Sequence, residues 1–324
     1  MPRKLRVTTT SFDIPGPRTP EQNRDEACAY VEAAGTAGAD LVCLPETFIE
    51  TGLPADQLPY AESLPGPTFE ALARLADKHR LWVVAGYSVR TDDGAIENSA
   101  VVIDRQGQLA GRYGKIHPTI SEMTRRSITP GAECATVVET DFGRMGLAIC
   151  YDLGWPDLWQ QLKEQGAELV VWPSAYGGGL SLQAYAWTHG YYIVSTVLSE
   201  HSRVIDISGY ALASTSRWSR MVTTTIDLEK ELLHIAPSLG QHEKLFRLQQ
   251  ELGGRITLQG FTEENFVTLE SNDPDWPVAR IKEHYGLVNW REYHAAATRV
   301  QDEHRRVRQS EQLEKVQLLA TSAE

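Results

Sequence analysis

Three residues able to act as a base, a cation and a nucleophile stand at the ends of strand-like segments. Glu46 follows the apolar run LVCLP, Lys115 ends GRYGK, and Cys150 ends GLAIC and opens the turn CYDLGWPDLW. Strand ends are where α/β proteins place their active residues. A cysteine between a strand and a helix meets the partial positive charge of the helix N-terminus, which favours the nucleophilic thiolate. Taken singly, the three have ordinary alternatives: a buried small hydrophobe, a capping or surface carboxylate, and a solvated lysine.

The segments that must position these residues alternate between strands and helices. Helical spacing predicts helices after a capping box at Thr19 and Gln22, and over 67–79, 155–165 and 182–190. Apolar and β-branched runs predict strands at 4–10, 39–45, 81–89, 98–104, 108–115, 136–140, 144–150, 168–173, 191–197, 202–207, 210–214 and 220–227. This order predicts an α/β domain over residues 1–235. The segment 236–324 is expected to be a partly helical extension that packs on the domain or at a subunit interface.

Together, the three residues lie in motifs that resemble those of the nitrilase superfamily of carbon–nitrogen hydrolases. The resemblance covers roughly residues 4–232 and rests on LPETF, YGKIH and ICYDLGWPDLW, with support from Asn98, Asp104 with Gly107, Pro130–Gly131 and GAELVVWPSAY. It implies a four-layer αββα sandwich, usually paired between subunits, and a catalytic set of Glu46, Lys115 and Cys150. Many members add a second glutamate after the lysine. Glu122 is the candidate here, and Glu133 is its rival.

The residue types give each member of this set a role. A thiol of ordinary pKa is mostly protonated at neutral pH, so Cys150 needs a base, and Glu46 can take its proton. The thiolate would attack an amide carbonyl or nitrile carbon, while Lys115 and the backbone N–H of Tyr151 hold the developing charge. Water activated by Glu46 would then hydrolyse the thioester, with Glu122 orienting the substrate and Lys115 or tuning the proton on Glu46. A structural ion-pair cluster around an inert cysteine is the alternative.

The residues after the cysteine bear on the substrate. Tyr151–Asp152 resembles the amidase and carbamoylase branches more than the Trp–Glu of true nitrilases, so we expect a small amide substrate and release of ammonia or an amine. An N-carbamoyl amidohydrolase and a nitrilase are the alternatives, and a catalytically silent scaffold is a third. Arg125 and Arg126 are possible cations for a substrate carboxylate, although surface exposure is the simpler expectation. The aromatic residues expected to bind substrate, with core packing as the alternative for Trp172, are Tyr151, Trp155, Trp172 and Tyr176.

Composition excludes several other classes. The chain has 324 residues with 43 acidic and 31 basic side chains, a formal charge of −12, which disfavours nucleic acid and anionic membrane surfaces as partners. None of the four cysteines forms a CxxC pair, and the histidines lack metal-ligand spacing, so we expect free thiols, no metal and no cofactor. No apolar leader follows the N-terminus. We therefore expect a cytoplasmic enzyme that forms a homodimer or larger homo-oligomer.

Overall fold

The computed structural model describes residues 3–12, 15–236 and 239–321, with side chains up to position 312. These residues divide into two units, Arg3–Leu228 and a second that begins at Glu229. The helices of the first unit are α1 (Pro20–Thr36), α2 (Pro67–His79), α3 (Ile120–Arg126), α4 (Pro156–Glu164) and α5 (Gly179–His189). Its strands are β1 (Lys4–Thr10), β2 (Leu41–Leu44), β3 (Trp82–Arg90), β4 (Ile96–Ile103), β5 (Leu109–Gly114), β6 (Thr136–Glu139), β7 (Arg144–Leu147), β8 (Leu169–Ser174), β9 (Tyr192–Val197), β10 (Arg203–Ile205), β11 (Ala211–Ser214) and β12 (Met221–Asp227).

The strands of this unit form two six-stranded sheets with matching topology. One has the order β12-β1-β2-β3-β4-β5 and the other β11-β10-β9-β8-β7-β6. In the first, β1, β2 and β3 are parallel, and β4 and β5 follow antiparallel. In the second, β7, β8 and β9 are parallel, and β10 and β11 follow antiparallel. The carboxyl ends of the parallel strands β2 and β7 therefore lead into loops suited to carry active residues.

Four layers follow from how these sheets are covered. Apolar residues of α1 and α2, such as Val31 and Leu72, share one core cluster with the outer face of the first sheet. Trp159 of α4 and Ala186 of α5 share another with the second sheet. The inner faces meet through hydroxyls, and Thr9 Oγ1 donates to the Ser195 carbonyl across the sheets at 2.7 Å. This arrangement is the predicted αββα sandwich, which is confirmed.

The second unit contains a small sheet that the sequence analysis did not predict. Its elements are β13 (Glu231–His234), α6 (Gln241–Leu252), β14 (Ile256–Phe261), β15 (Phe266–Ser271), α7 (Val278–Tyr285) and α8 (Trp290–Thr321). The strands pair antiparallel in the order β13-β15-β14, and α6 and α7 share an apolar cluster with them. Because β13 pairs with β15, the division of the chain falls at 228/229 and not at 235. No helix in the described part of the chain is both long and apolar enough to cross a bilayer.

Local signals account for much of the first unit, and one helix was missed. The capping box at α1 is confirmed, because Thr19 Oγ1 accepts from the Gln22 N–H and Gln22 Oε1 accepts from the Thr19 N–H. Helix α3 was not predicted, since its seven residues are too few to show helical periodicity. A second capping box, formed by Thr119 and Glu122, begins it.

Candidate active site

Three loops at the ends of strands bring the predicted acid, cation and nucleophile to one cavity. Glu46 lies two residues beyond β2, Lys115 directly follows β5, and Cys150 lies three residues beyond β7. All three side chains line one cavity of about 250 Å³. The full lining is Glu46, Thr47, Asn98, Lys115, Thr119, Ser121, Glu122, Arg126, Cys150 and Ala175.

A glycine on β3 makes room for the loop that carries Glu46. A Cβ on Gly86 would lie 2.5 Å from the Pro45 carbonyl oxygen and 2.7 Å from the Glu46 Cα. Both are backbone atoms, so the contact can be relieved only by moving the loop. The identity of residue 86 thus helps to set the position of the Glu46 carboxylate.

Lys115 joins two carboxylates inside the cavity. Its side chain is 1% exposed, and Nζ donates to Glu46 Oε1 at 2.9 Å and to both carboxylate oxygens of Glu122 at 2.9 Å. Glu122 Oε2 also accepts from the Thr119 N–H at 2.7 Å, so the capping box of α3 holds this carboxylate towards the lysine. Of the two candidates for the second glutamate, the structure places Glu122 at the cavity, and Glu133 is exposed and outside its lining.

Cys150 adopts a backbone conformation that is rare for a residue with a side chain. Its φ is +46°, and it begins a short 3-10 turn, Cys150–Gly154. Trp172 Nε1 donates to the Cys150 carbonyl at 3.2 Å, and the Tyr176 hydroxyl lies 3.5 Å from the same oxygen. Strained backbone of this kind persists only where surrounding contacts hold it, and it clusters at active sites.

Asp152 fastens the cysteine turn to the loop that carries the lysine. Its Oδ2 accepts from the Tyr113 hydroxyl at 2.7 Å and from the Ile149 N–H at 2.9 Å. Its Oδ1 accepts from the His117 N–H at 2.9 Å and lies 2.8 Å from the His117 Nδ1. Tyr113 and His117 flank Lys115 in sequence, so a single buried carboxylate sets the relative position of cation and nucleophile.

Burial and charge set the protonation states of the cavity. Burial alone would lower the pKa of Lys115, but the Glu46 and Glu122 carboxylates and the hydrogen bond to Glu122 act against burial, and the pKa is raised. Burial would raise the pKa of Glu122, yet Lys115, the Thr119 N–H and Asn98 lower it. Lys115 is therefore a cation and Glu122 an anion at neutral pH.

The same forces keep the cysteine protonated. Burial, followed by the nearby charge of Glu46, raises the pKa of Cys150 to about 12, although Lys115 and hydrogen bonds from Ala175 and Ser174 act to lower it. The expectation that the helix N-terminus favours a thiolate is therefore wrong for this site. The resting group is a thiol, because its 7% exposure and the neighbouring carboxylate outweigh the helix end.

The aromatic residues predicted to bind substrate divide into two groups. Tyr151, Trp155 and Tyr176 are partly exposed, and the Tyr151 and Trp155 rings meet edge to face at 5.2 Å. Trp172 has no exposed surface and packs in the core of the second sheet. Its assignment as a substrate contact was wrong, because its ring faces apolar neighbours and its N–H supports the Cys150 carbonyl.

Two residues named in the sequence analysis outside the catalytic set also line the cavity. Asn98 was part of a motif and proves to line the cavity beside both glutamates. Arg126 was named as a possible cation for a substrate carboxylate, with surface exposure as the simpler expectation; it lines the cavity, with its side chain 40% exposed and Nη1 3.1 Å from Glu50 Oε2. Its position at the last turn of α3 is visible only once that helix is known.

A family model described as carbon–nitrogen hydrolase matches residues 9–231. The chain belongs to this family. The match includes the end of β1, all of β2 to β12 and every residue of the cavity, so the resemblance to the nitrilase superfamily is confirmed. The protein is a hydrolase of the amidase type that acts on carbon–nitrogen bonds.

Individual relatives agree with this assignment. The hydrolase is 29% identical to omega-amidase NIT2 of Homo sapiens over 233 residues, which is 64% of this chain and 84% of that one. It is also 29% identical to deaminated glutathione amidase of Homo sapiens over 265 residues, 70% of this chain and 81% of that one. In fold it resembles Saccharomyces cerevisiae Nit3, a nitrilase superfamily member, with a TM-score of 0.60 and 22% identity, covering 78% of this chain and 96% of that one.

Proposed function

We propose that this hydrolase cleaves small amides through a thioester on Cys150, with Glu46 as the acid–base group. The observation that carries the proposal is the cluster of Glu46, Lys115 and Glu122, joined at 2.9 Å, in the same small cavity as a cysteine held in a strained turn. An inert cysteine would need neither the strained backbone nor two carboxylates beside it, one buried and one partly buried.

Acylation begins with the resting thiol. Cys150 Sγ attacks the amide carbonyl carbon while its proton passes to Glu46, and the carbonyl π electrons move to oxygen. Lys115 Nζ and the Tyr151 backbone N–H stabilise that oxyanion. The intermediate collapses as the C–N bond breaks and Glu46 returns the proton to the leaving nitrogen. Ammonia or an amine departs, and the acyl group remains as a thioester.

Deacylation repeats the steps with water. Glu46 takes a proton from water as the oxygen attacks the thioester carbon, and the oxyanion forms again beside Lys115. The C–S bond breaks, and Glu46 gives its proton to the departing sulfur, which restores the thiol. A high pKa at Cys150 makes this return favourable, and a base within the site is what makes the attack possible.

The cavity favours a small polar acyl group. Its walls include the hydroxyl-bearing residues Thr47, Thr119 and Ser121, and Arg126 supplies a cation at its side. Since one guanidinium nitrogen contacts Glu50 and the side chain is partly exposed, further N–H groups can bind a carboxylate or carbonyl of the substrate. Both human relatives are named as amidases, which favours an amide over a nitrile or an N-carbamoyl compound.

Ammonia release from a mixed panel of amides, N-carbamoyl compounds and nitriles tests the proposal. We expect release from amides by the wild type, none by Cys150→Ala, and near wild-type rates from Cys134→Ala and Cys28→Ala. Activity retained by Cys150→Ala would overturn the mechanism. Release confined to nitriles or N-carbamoyl compounds would replace the substrate class, and silence of folded protein across the panel would favour a scaffold.

We further propose that the enzyme acts in the cytoplasm as a homodimer or larger homo-oligomer. A paired sandwich is the usual state that the family resemblance implies. Sedimentation equilibrium of the purified chain tests the assembly, and a monomer at all concentrations would contradict it.

A further inference from the structure

Asn98 lies on β4 directly beside the lysine of the site. The Lys115 N–H donates to the Asn98 carbonyl at 2.8 Å, so the two residues are fixed to each other through the backbone. The Asn98 side chain is buried, at 1% exposure, and lines the cavity. Its position is therefore set by the sheet and not by a mobile loop.

The Asn98 amide and the Lys115 ammonium bind the same two oxygen atoms. Asn98 Nδ2 donates to Glu46 Oε1 at 2.7 Å and to Glu122 Oε1 at 3.0 Å. Lys115 Nζ donates to these same oxygens at 2.9 Å each. Two nitrogen donors and two carboxylate oxygens thus alternate around a closed ring of hydrogen bonds.

The orientation of the amide follows from chemistry. Both of its partners are carboxylates, which accept hydrogen bonds, so the nitrogen and not the oxygen must face them. Both Nδ2 hydrogens are used, and the buried Oδ1 has no partner among the described residues. The side chain thus leaves a buried acceptor unsatisfied in order to donate twice to the two glutamates.

Only one oxygen of the Glu46 carboxylate takes part in this ring of hydrogen bonds. Oε1 accepts from both Asn98 and Lys115, whereas Oε2 accepts no hydrogen bond from the described residues. Building on the proposed function, we infer that Asn98 is a positioning residue that, with Lys115, immobilises Oε1 and leaves Oε2 to exchange the proton with Cys150 Sγ. In each half-reaction the proton then moves to and from one defined atom.

Substitution of Asn98 should therefore alter proton transfer more than substrate binding. For Asn98→Ala we expect kcat to fall about 100-fold, as misplacement of a reacting group commonly does, with KM for the amide changed less than about threefold. Loss of two donors to carboxylates favours their protonated forms, so the acid limb of the kcat/KM profile should move up by about one pH unit. The other charged or titratable groups that act on Glu46 or line its cavity are Lys115, Glu122, Cys150, Glu50, Tyr176 and Arg126.

Asn98→Asp provides an isosteric second variant. At neutral pH its carboxylate donates nothing and adds a negative charge, so kcat should be below that of Asn98→Ala. As the pH falls, the protonated acid regains one donor, and the ratio of its kcat to that of Asn98→Ala should rise. The matched control is Ser99→Ala on the same strand, a buried neighbour whose side chain points to the opposite face.

The outcomes separate this inference from the proposed function. Asn98→Ala with kcat within about threefold of the wild type and an unmoved acid limb would overturn the positioning role. Asn98→Asp as active as Asn98→Ala at every pH would do so as well, and this result remains measurable if the alanine variant does not fold. Activity retained by Cys150→Ala or Glu46→Gln would instead reject the proposed function, whatever the Asn98 variants show.

Discussion

Replacing Lys115 with methionine tests the charge balance of the site. The ammonium is almost fully buried and binds Glu46 and Glu122, which the substitution would leave side by side without a cation. The change that costs the least free energy is the protonation of one of the two carboxylates. An unfolded glutamate has a pKa of about 4.3, so keeping one protonated at pH 7 costs about 3.7 kcal/mol, at about 1.4 kcal/mol per pH unit.

The difference in unfolding free energy between the wild type and Lys115→Met should depend on pH, because Lys115 affects the pKa of Glu122. Burial would raise the folded-state pKa of Glu122, but Lys115, the Thr119 N–H and Asn98 together lower it, so this group contributes stability above its unfolded pKa and loses it as the pH falls towards its folded-state pKa. Between pH 5 and 7 that wild-type contribution is constant, whereas in the folded Lys115→Met variant one carboxyl is protonated, and the free-energy cost of protonating it falls with the pH. The difference in unfolding free energy between wild type and variant should therefore shrink from about 4 kcal/mol at pH 7 to about 1 kcal/mol at pH 5.

Urea unfolding at several pH values between 5 and 7 measures this difference. The control is Lys78→Met, which removes an exposed lysine that contacts Glu32 at 2.6 Å. Exposed pairs of this kind contribute less than about 1 kcal/mol, with little pH dependence in this range. A Lys115→Met penalty that does not change with pH, or that matches the control, would refute the description of Lys115 as the cation shared by two carboxylates.

Other changes at the site have equally specific expectations. Gly86→Ala should lower kcat about 100-fold by displacing Glu46, whereas Gly260→Ala, where a Cβ meets open space, should leave kcat unchanged; equal kinetics for both would contradict the packing argument. Asp152→Asn places an N–H donor opposite at least one of the backbone N–H groups that now donate to Asp152, and should lower the unfolding free energy by about 1–3 kcal/mol. Unchanged stability in urea unfolding would contradict the role of Asp152 in joining the two loops. Arg126→Met should raise KM for amides that carry a carboxylate by about tenfold and leave KM for uncharged amides unchanged; an equal change for both would rule out recognition of the anion. EDTA should not alter turnover, and loss of activity that zinc restores would show a metal requirement.

The strands that carry the site could be predicted from sequence because β2 and β7 lie in apolar runs and β5 pairs with the apolar strand β4 across the turn at Gly107. The segments that became β2, β5 and β7 end within a few residues of Glu46, Lys115 and Cys150, so their strand ends were visible in the printed sequence. The pairing of these strands into two sheets was supplied by the family resemblance. Pairing depends on contacts between distant segments, which local patterns do not encode.

Features that depend on tertiary contacts were not predictable from the sequence alone. The resting protonation of Cys150 reflects burial and a carboxylate more than a hundred residues away in the chain. The burial of Trp172 depends on α4 and α5 covering its sheet. The small sheet of the second unit was missed, although the alternation of ITLQGF and FVTLES is typical of the two strands of a hairpin.

The central claim, a thioester on Cys150, is tested most directly by trapping it with hydroxylamine during amide turnover. The acyl-enzyme should partition between water and hydroxylamine, so hydroxamate forms at the expense of the acid while the two together equal the ammonia released. Cys150→Ala should yield neither product, and Cys134→Ala should partition like the wild type. Ammonia release by the wild type with the acid as sole product at every hydroxylamine concentration would contradict a covalent intermediate.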